Sequence, residues 1–213
     1  MSWIRRVVLL SGLLSLAACG TSQAVAVPGA SSPAADVAAS ATASAAPTAP
    51  ASPVVAPATC GGKLTPAETE GPYFKAGSAE RASLVDAGMA GTRLTLSGRV
   101  TNAACQPLAH AMLDFWQADA SGNYDNSGYR LRGHVFTDAD GNYRLDTIVP
   151  GLYTGRTEHI HVKVQPAGGA ILTTQLFFPG VPQNDSDGIY NPALLLKISD
   201  NGSGKLGAFD FVV

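Results

Sequence analysis

The sequence predicts an all-β fold, an antiparallel β-sandwich whose long loops carry the chemistry, in one domain over residues 60–213. Three observations support this prediction. Short runs that alternate apolar and polar residues recur along this stretch, and Gly, Asn and Asp turn residues separate them. Helical periodicity is scarce, and its best stretch, residues 79–89, is weak. The spacing of the runs suits a sandwich and not a series of alternating strands and helices.

Alternation is clearest in residues 92–100, where Leu94, Leu96 and Val100 would share one face of a strand. We expect that face to line the core. Further strands are predicted at residues 111–116, 133–137, 142–148, 158–165, 171–178 and 206–213. The turn sequence Asp-Ala-Asp-Gly at 138–141 joins two of these runs in a predicted β-hairpin.

The first 18 residues are predicted to be a secretory signal peptide. Arg5 and Arg6 precede an apolar stretch, which is too short for a permanent membrane span. The run Leu-Ala-Ala-Cys that ends at Cys19 resembles a bacterial lipobox, in which the cysteine receives a lipid. The alternative is ordinary cleavage, with Cys19 incidental. The lipid interpretation predicts an exported lipoprotein of the bacterial cell envelope.

Residues 19–59 are rich in Ala, Pro and Ser, lack aromatic residues and carry a single charge, Asp36. Such a segment buries too little apolar surface to offset the entropy of ordering, so we predict a disordered linker to the membrane anchor. The whole chain has 14 basic and 16 acidic side chains and a net charge of -2. This balance argues against a nucleic-acid partner.

Two cysteines remain in the predicted domain, Cys60 and Cys105. Exported proteins meet oxidising surroundings, which favours a disulfide between these residues. The bond would pin the start of the domain to the loop at residues 101–106. Two unpaired thiols are the alternative.

The sequence His159-Ile160-His161 lies in a predicted strand. Because side chains alternate along a strand, both imidazoles would project to one side, about 7 Å apart, while Ile160 would face the core. Inward tilt of the rings would let them bind one metal ion. A bare His-x-His pair is a weak signal, since many such pairs lie on surfaces without a ligand.

Two tyrosines strengthen the metal prediction, because Tyr124 and Tyr153 each follow a turn near this strand. Two phenols and two imidazoles would form an N2O2 donor set. A phenol with a pKa of about 10 is a poor ligand for a divalent ion, whereas a hard, highly charged cation favours the phenolate. Ferric iron fits this set. Alternatively, both residues are sandwich-corner tyrosines with buried hydroxyls.

Several separated motifs together resemble the intradiol ring-cleavage dioxygenases, the group that contains protocatechuate 3,4-dioxygenase and catechol 1,2-dioxygenase. The similarity is greatest to the single-domain secreted branch. The motifs are TPAETEGPYF (65–74), WQADASGNY (116–124), LRGHVFTDADGNYRLDTIVPGLYTGRTEHIHVKV (131–164) and LTTQLFFPG (172–180). They occur in the family's order and cover nearly all of residues 60–213.

The resemblance implies a prealbumin-like β-sandwich with a non-haem Fe(III) cofactor. The implied iron ligands are Tyr124, Tyr153, His159 and His161. It further implies that substrate displaces Tyr153, that Arg156 and Gln175 lie beside the reacting ring, and that Tyr73 lies in the pocket wall. The implied reaction cleaves a catechol-type diol with O2 between its hydroxyl-bearing carbons and gives a cis,cis-muconate-type diacid.

Two departures from the catechol 1,2-dioxygenase pattern leave the substrate open. Only five residues separate Tyr153 from His159, and the helical N-terminal dimerisation region of that branch is missing. The oligomeric state is open too, a homo-oligomer included.

Two other functions compete with ring cleavage. One is a non-catalytic envelope sandwich that binds aromatic ligands or a metal, and the other is a divalent-metal protein or hydrolase that uses only the histidines. The alternative for Arg156 is a loop charge paired with Glu158 across solvent. Glu158 is expected to be a solvated residue at the start of the strand.

Overall fold

The structure is a computed structural model that describes residues 62–153 and 155–213. The predicted signal peptide (1–18), the lipid site at Cys19, the linker (19–59) and Cys60 lie outside the described residues. Cys105 is disulfide-bonded, while its pairing with Cys60 stays a prediction. Within the described residues, no helix has the length and apolar character needed to cross a membrane.

Regular structure in the described residues is almost entirely β. The strands are β1 (Arg93–Thr101), β2 (Met112–Gln117), β3 (Arg132–Phe136), β4 (Asn142–Ile148), β5 (His159–Gln165), β6 (Leu172–Phe177), β7 (Lys197–Asp200), β8 (Lys205–Ala208) and β9 (Phe211–Val212). Two short 3-10 helices, Pro182–Asp185 and Pro192–Leu194, lie between β6 and β7.

The strands form two sheets. One has the order β3-β2-β5-β6 and is antiparallel throughout. The other has the order β4-β1-β8-β7, with β9 also paired to β1. The prediction of an all-β sandwich is therefore confirmed. It needs one amendment, because β1 pairs in parallel with both β8 and β9.

The core contains the apolar residues that alternation assigned to it. Leu94, Leu96 and Val100 of β1 are fully or almost fully buried, and so are Ile160 and Val162 of β5. Because side chains alternate across a strand, burial of one face of β5 leaves the other face for a different use. That second face carries the two histidines.

The predicted hairpin around residues 138–141 is wrong. The turn itself forms, since Asp138 Oδ1 accepts hydrogen bonds from the backbone N–H of Asp140 (2.9 Å) and Asn142 (2.8 Å). However, β3 pairs with β2 and β4 pairs with β1, so the chain passes from one sheet to the other at this turn. The turn residues determine the local bend, whereas tertiary packing determines which strands β3 and β4 pair with.

Residues 79–89 contain no helix, contrary to the weak sequence pattern. The segment is extended and bonds to both sheets: Arg81 N–H donates to the His134 carbonyl (3.0 Å), and Leu84 N–H donates to the Asp146 carbonyl (2.8 Å). Leu84 is fully buried in the core. The segment therefore closes the side of the sandwich where β3 leads into β4, and this burial overrides helix propensity.

The predicted final strand at 206–213 is also interrupted. It divides into β8 and β9 around Phe209 and Asp210. The Asp210 carboxylate accepts a hydrogen bond from the Arg99 backbone N–H (2.8 Å), which replaces a strand contact at this point.

Candidate metal centre and active site

The two histidines of β5 face each other on the side of the strand away from the core. Their Nε2 atoms are 3.1 Å apart, and both side chains are buried. β5 lies between β2 and β6: His161 is opposite Trp116 of β2 and Gln175 of β6, and His159 is opposite Phe177 of β6. The predicted shared orientation of His159 and His161 is confirmed.

The orientation of His159 has a visible cause. Its Nδ1 lies 2.6 Å from the Thr157 carbonyl oxygen, which can only accept, so Nδ1 carries the proton and Nε2 presents a lone pair. His161 stacks on Trp116, with ring centroids 4.8 Å apart and planes at 8°. Sequence reasoning missed the role of Thr157, because a backbone carbonyl leaves no residue-type signal.

Burial also sets the charge of the pair. It lowers the pKa of His159 to about 4, and it lowers the pKa of His161 well below the ordinary value, with further contributions from His159 and Arg156. Both imidazoles are therefore neutral near pH 7. The neutral form is the one that binds metal ions.

Tyr124 approaches the histidines from a polar turn. The Asp119 carboxylate accepts hydrogen bonds from the backbone N–H of Ser121 (2.9 Å) and Asn123 (3.0 Å), which shapes the chain just before the tyrosine. The Tyr124 Oη is 3.4 Å from His159 Nε2. Burial raises the pKa of the Tyr124 phenol well above its ordinary value. A phenolate here therefore requires a strong positive charge beside it.

Tyr153 lies in the next turn, which packs directly against the turn before Tyr124. The Gly151 backbone N–H donates to the Asp119 carbonyl (2.8 Å). At Gly122, with φ +80°, an added Cβ would overlap the Leu152 carbonyl oxygen. The two tyrosine rings meet edge to face, with centroids 5.9 Å apart.

Tyr73 contacts both of these tyrosines. Its Oη is 2.9 Å from the Tyr153 Oη, and its ring stacks on Tyr124 with centroids 4.3 Å apart. The hydrogen bond to Tyr153 and burial raise the pKa of the Tyr73 phenol. Beneath them the buried Arg132 guanidinium donates to the carbonyls of Tyr73 (2.6 Å) and Asp125 (3.1 Å). Sequence reasoning missed Arg132, because its partners are distant in sequence.

Arg156 and Gln175 form a second polar group that adjoins the histidines. The Arg156 guanidinium donates to Gln175 Oε1 (2.6 Å), and Gln175 lies directly across from His161 in the β5–β6 register. The suggested pairing of Arg156 with Glu158 is wrong. Arg156 Nε instead donates to Asp187 Oδ2 at 2.8 Å.

Neither acidic side chain near Arg156 is simply solvated. Burial raises the pKa of Glu158, so the description of this residue as solvated is also wrong. Burial alone would raise the pKa of Asp187 as well. Hydrogen bonds from the backbone N–H of Thr157 and Ile189, together with Arg156, outweigh burial and hold that pKa below its usual range.

The donor set fits a metal ion of high charge. In the part of the chain that the structure describes, no group of three or more His, Cys, Asp and Glu side chains could hold a metal ion, and the further donor beside the two histidines is the Tyr124 phenol. Two nitrogen ligands about 2.1 Å from one ion and at right angles lie roughly 3.0 Å apart. The observed Nε2 separation of 3.1 Å matches this spacing.

Comparison with known proteins identifies the family. Residues 69–202, more than half of the chain, match the family model described as Dioxygenase. This chain belongs to the intradiol ring-cleavage dioxygenases. The chain is 30% identical over 156 residues to chlorocatechol 1,2-dioxygenase of Rhodococcus opacus, an alignment that covers 59% of this chain and 61% of that protein. It is 32% identical over 118 residues to the protocatechuate 3,4-dioxygenase beta chain of Burkholderia cepacia, covering 47% and 50%.

Solved structures give the same family. The dioxygenase domain of a dioxygenase carbohydrate-binding protein fusion from the cellulolytic bacterium Streptomyces sp. SirexAA-E is 54% identical, with a TM-score of 0.70 over 71% of this chain and 98% of that chain. The 3-chlorocatechol 1,2-dioxygenase of Rhodococcus opacus 1CP is 30% identical, with a TM-score of 0.65 over 70% and 72%. The aligned part spans only half to three-fifths of the curated relatives named above.

Proposed function

We propose that this intradiol dioxygenase is an Fe(III)-dependent enzyme that cleaves a catechol-type diol with O2 between its two hydroxyl-bearing carbons. The product would be a cis,cis-muconate-type diacid that contains both oxygen atoms of O2. One observation carries the proposal: two neutral imidazole nitrogens and the Tyr124 phenol oxygen converge within 3.4 Å in a buried site. The similarity to catechol and chlorocatechol dioxygenases supports the substrate class.

Tyr124, Tyr153, His159 and His161 would hold the iron. Fe(III) bound there would supply a Lewis acid and an electron sink for the diol substrate. The protein keeps the two imidazoles neutral by burial, and it fixes the His159 ring through the Thr157 carbonyl. A supporting partner of this kind sets the direction of the ligand lone pair.

A catechol gives up two hydroxyl protons when both of its oxygens become anionic. The Tyr153 Oη would take one of them, because a neutral phenol can form there when substrate takes its position, and a solvent hydroxide would take the other. The Tyr73 Oη, 2.9 Å away, would then keep that phenol hydrogen-bonded at the pocket wall. Arg156 would face negative charge that develops on the substrate, a role typically worth about 3 to 4 kcal/mol for one donor.

Oxygen uptake by the purified, iron-loaded full chain tests the proposal. With a panel of catechol, protocatechuate and hydroxyquinol, we expect uptake of one O2 per diol, and isotopically labelled O2 should place both atoms in one product. Tyr153→Phe should lower turnover by at least about 10-fold and leave folding intact. Near-normal turnover in that variant would remove the role assigned to Tyr153.

The colour of the protein separates the proposal from its alternatives. Phenolate-to-ferric charge transfer should make the iron-loaded protein red, whereas a zinc protein would be colourless. A red protein that is inert with every diol would favour a non-catalytic binding module. A colourless protein that retains zinc and hydrolyses esters would favour the divalent-metal alternative.

We propose, separately, that the chain is a lipoprotein held at the cell envelope through Cys19. The lipobox-like run supports this proposal. Cys19→Ala should abolish lipid labelling and release the exported domain from membranes. Unchanged membrane association in that variant would contradict the anchor.

A further inference from the structure

Asp187 is a buried carboxylate that sequence reasoning did not single out. It follows the 3-10 helix Pro182–Asp185, and its side chain is 2% exposed. Oδ1 accepts the Ile189 backbone N–H at 2.9 Å. Oδ2 accepts two hydrogen bonds, one from Arg156 Nε at 2.8 Å and one from the Thr157 backbone N–H at 2.9 Å. The carboxylate thus has fixed partners on both oxygens.

These contacts fix the direction of the Arg156 guanidinium. A guanidinium is planar, so holding two of its nitrogens also sets where the third one points. Asp187 holds Nε, and Gln175 Oε1 holds one terminal nitrogen at 2.6 Å. Gln175 is fixed in turn, because its Nε2 donates to the Thr69 carbonyl at 2.9 Å. The Nη1 of Arg156 is therefore presented in one direction.

The same carboxylate oxygen, Oδ2, is also linked to His159 through Thr157. Asp187 Oδ2 accepts a hydrogen bond from the Thr157 backbone N–H. The Thr157 carbonyl in turn accepts a hydrogen bond from His159 Nδ1–H at 2.6 Å. The Thr157 Oγ1 donates to Asn184 Oδ1 (2.6 Å). Asn184 and Asp187, both at the first 3-10 helix, therefore each hydrogen-bond to Thr157. Movement of Asp187 would thus disturb Arg156 and His159 together.

We propose that Asp187 is a positioning residue that aligns the substrate-facing donor of Arg156 with the His159 imidazole through one shared oxygen. The inference rests on the proposed function of the site. It adds to that function a role for residues 182–187, which would hold the Arg156 guanidinium and the His159 imidazole in a fixed relative position.

The first test compares Asp187→Asn with Asp185→Asn in the iron-loaded full chain. Both changes remove one negative charge from the same segment, but Asp185 is exposed. Anaerobic calorimetric titration with catechol gives the Kd and the number of intact sites, and oxygen uptake then gives kcat for each site. We expect Asp187→Asn to lower kcat roughly 10- to 100-fold, the usual cost of losing a supporting partner, with Kd changed less than about 3-fold. Asp185→Asn should match wild type.

A loss of kcat that only mirrors a loss of intact sites would show a purely structural role and overturn the proposal. The second test uses free guanidinium ion as the probe. It should partly restore turnover in Arg156→Ala, because the Asp187 carboxylate can bind it where the side chain was, but not in the Arg156→Ala, Asp187→Asn double variant. Equal rescue in both would also overturn the proposal.

A third measurement does not depend on turnover. In nitrogen-15 NMR spectra of the metal-free full chain, the Arg156 Nε–H should be protected from exchange, and Asp187→Asn should remove that protection and shift the His159 Nδ1–H signal. Unchanged signals would refute the positioning role. A wild-type chain that shows these signals but consumes no oxygen would refute only the proposed ring cleavage.

Discussion

The two imidazoles and the two phenols of the candidate metal centre reach it by different structural means. His159 and His161 lie on β5, where pairing to β6 holds His159 and pairing to both β2 and β6 holds His161. Tyr124 and Tyr153 lie in irregular turns that side-chain and backbone hydrogen bonds hold together. The histidine half of the site depends on sheet periodicity. The tyrosine half depends on the fit between two loops.

This difference implies different vulnerabilities. Changes on the buried histidine face of β5 leave the core contacts of its other face, at Ile160 and Val162, intact. The two tyrosine loops are in backbone contact with each other, so a change in one loop displaces the other. One added methyl group at Gly122 would overlap the carbonyl of Leu152. Changes to the strand should affect chemistry without the fold, whereas changes to the loops should affect both.

The largest expected effect comes from His159→Ala. The variant should lose iron and turnover by more than the roughly 100-fold that loss of a supporting partner can cost, because a ligand itself is removed. Its strand should persist, since Ile160 and Val162 stay in the core. Iron analysis, oxygen uptake and thermal unfolding check this. Gln165→Ala, at the far end of β5, is the control and should keep its iron.

The histidine half should also make the metal-free chain sensitive to acid. The His159 pKa is about 4 in the folded chain and about 6.5 when unfolded, so the unfolded state binds the proton first as pH falls. The free energy of unfolding should therefore drop by about 3 kcal/mol between pH 6.5 and 4. Urea unfolding across this range measures it. His159→Gln should make the slope shallower and leave the part that comes from His161, whose pKa burial also lowers, and an unchanged slope would contradict the assignment.

Gly122→Ala probes the tyrosine half. Positive φ alone should cost about 1–2 kcal/mol, and overlap with the Leu152 carbonyl should push the two tyrosine turns apart. We expect turnover to fall by about 10-fold, as for a misplaced group. Gly202→Ala is a matched control, since its φ is +83° and nothing lies within 4 Å of an added Cβ. It should lose similar stability and keep full turnover and colour.

The smallest effect is expected far from both halves, at the exposed pair between Arg144 and Asp146 on β4. Their 2.9 Å contact is solvent-accessible. Arg144→Ala should change the free energy of unfolding by less than about 1 kcal/mol, with no change in turnover. A large loss of activity would show that the second sheet contributes to the site.

The same contrast explains how much the sequence could predict. Alternation predicted β1 to β6 and the shared face of His159 and His161, because period two is a local property, but it missed β7 and joined β8 and β9 into one strand. The turn at Asp138 was predicted correctly, but the hairpin inferred from it was wrong, because β3 and β4 lie in different sheets. Residues 79–89 misled because their burial against both sheets outweighs local propensity.

Periodicity did not predict the polar residues that support the site. Tyr73, Tyr124, Tyr153, Arg156 and Gln175 were assigned functional roles only through family resemblance or through a donor-set argument. Arg132 and Asp187 were missed because each acts on residues far along the chain, 59 positions away for Tyr73 and 31 for Arg156. Local sequence carries no periodic signal for a single long-range hydrogen bond.

The parallel pairing of β1 has a consequence for the order of folding. Leu94 of β1 is opposite Lys205 of β8, so a neighbour of this early strand is synthesised only after about 110 further residues. Closing so long a loop is slow, as is usual for non-local sheets. In a nascent chain that has not yet reached residue 205, the edge of β1 that pairs with β8 therefore stays without this partner. Completion of this sheet is thereby postponed until translation has passed β8.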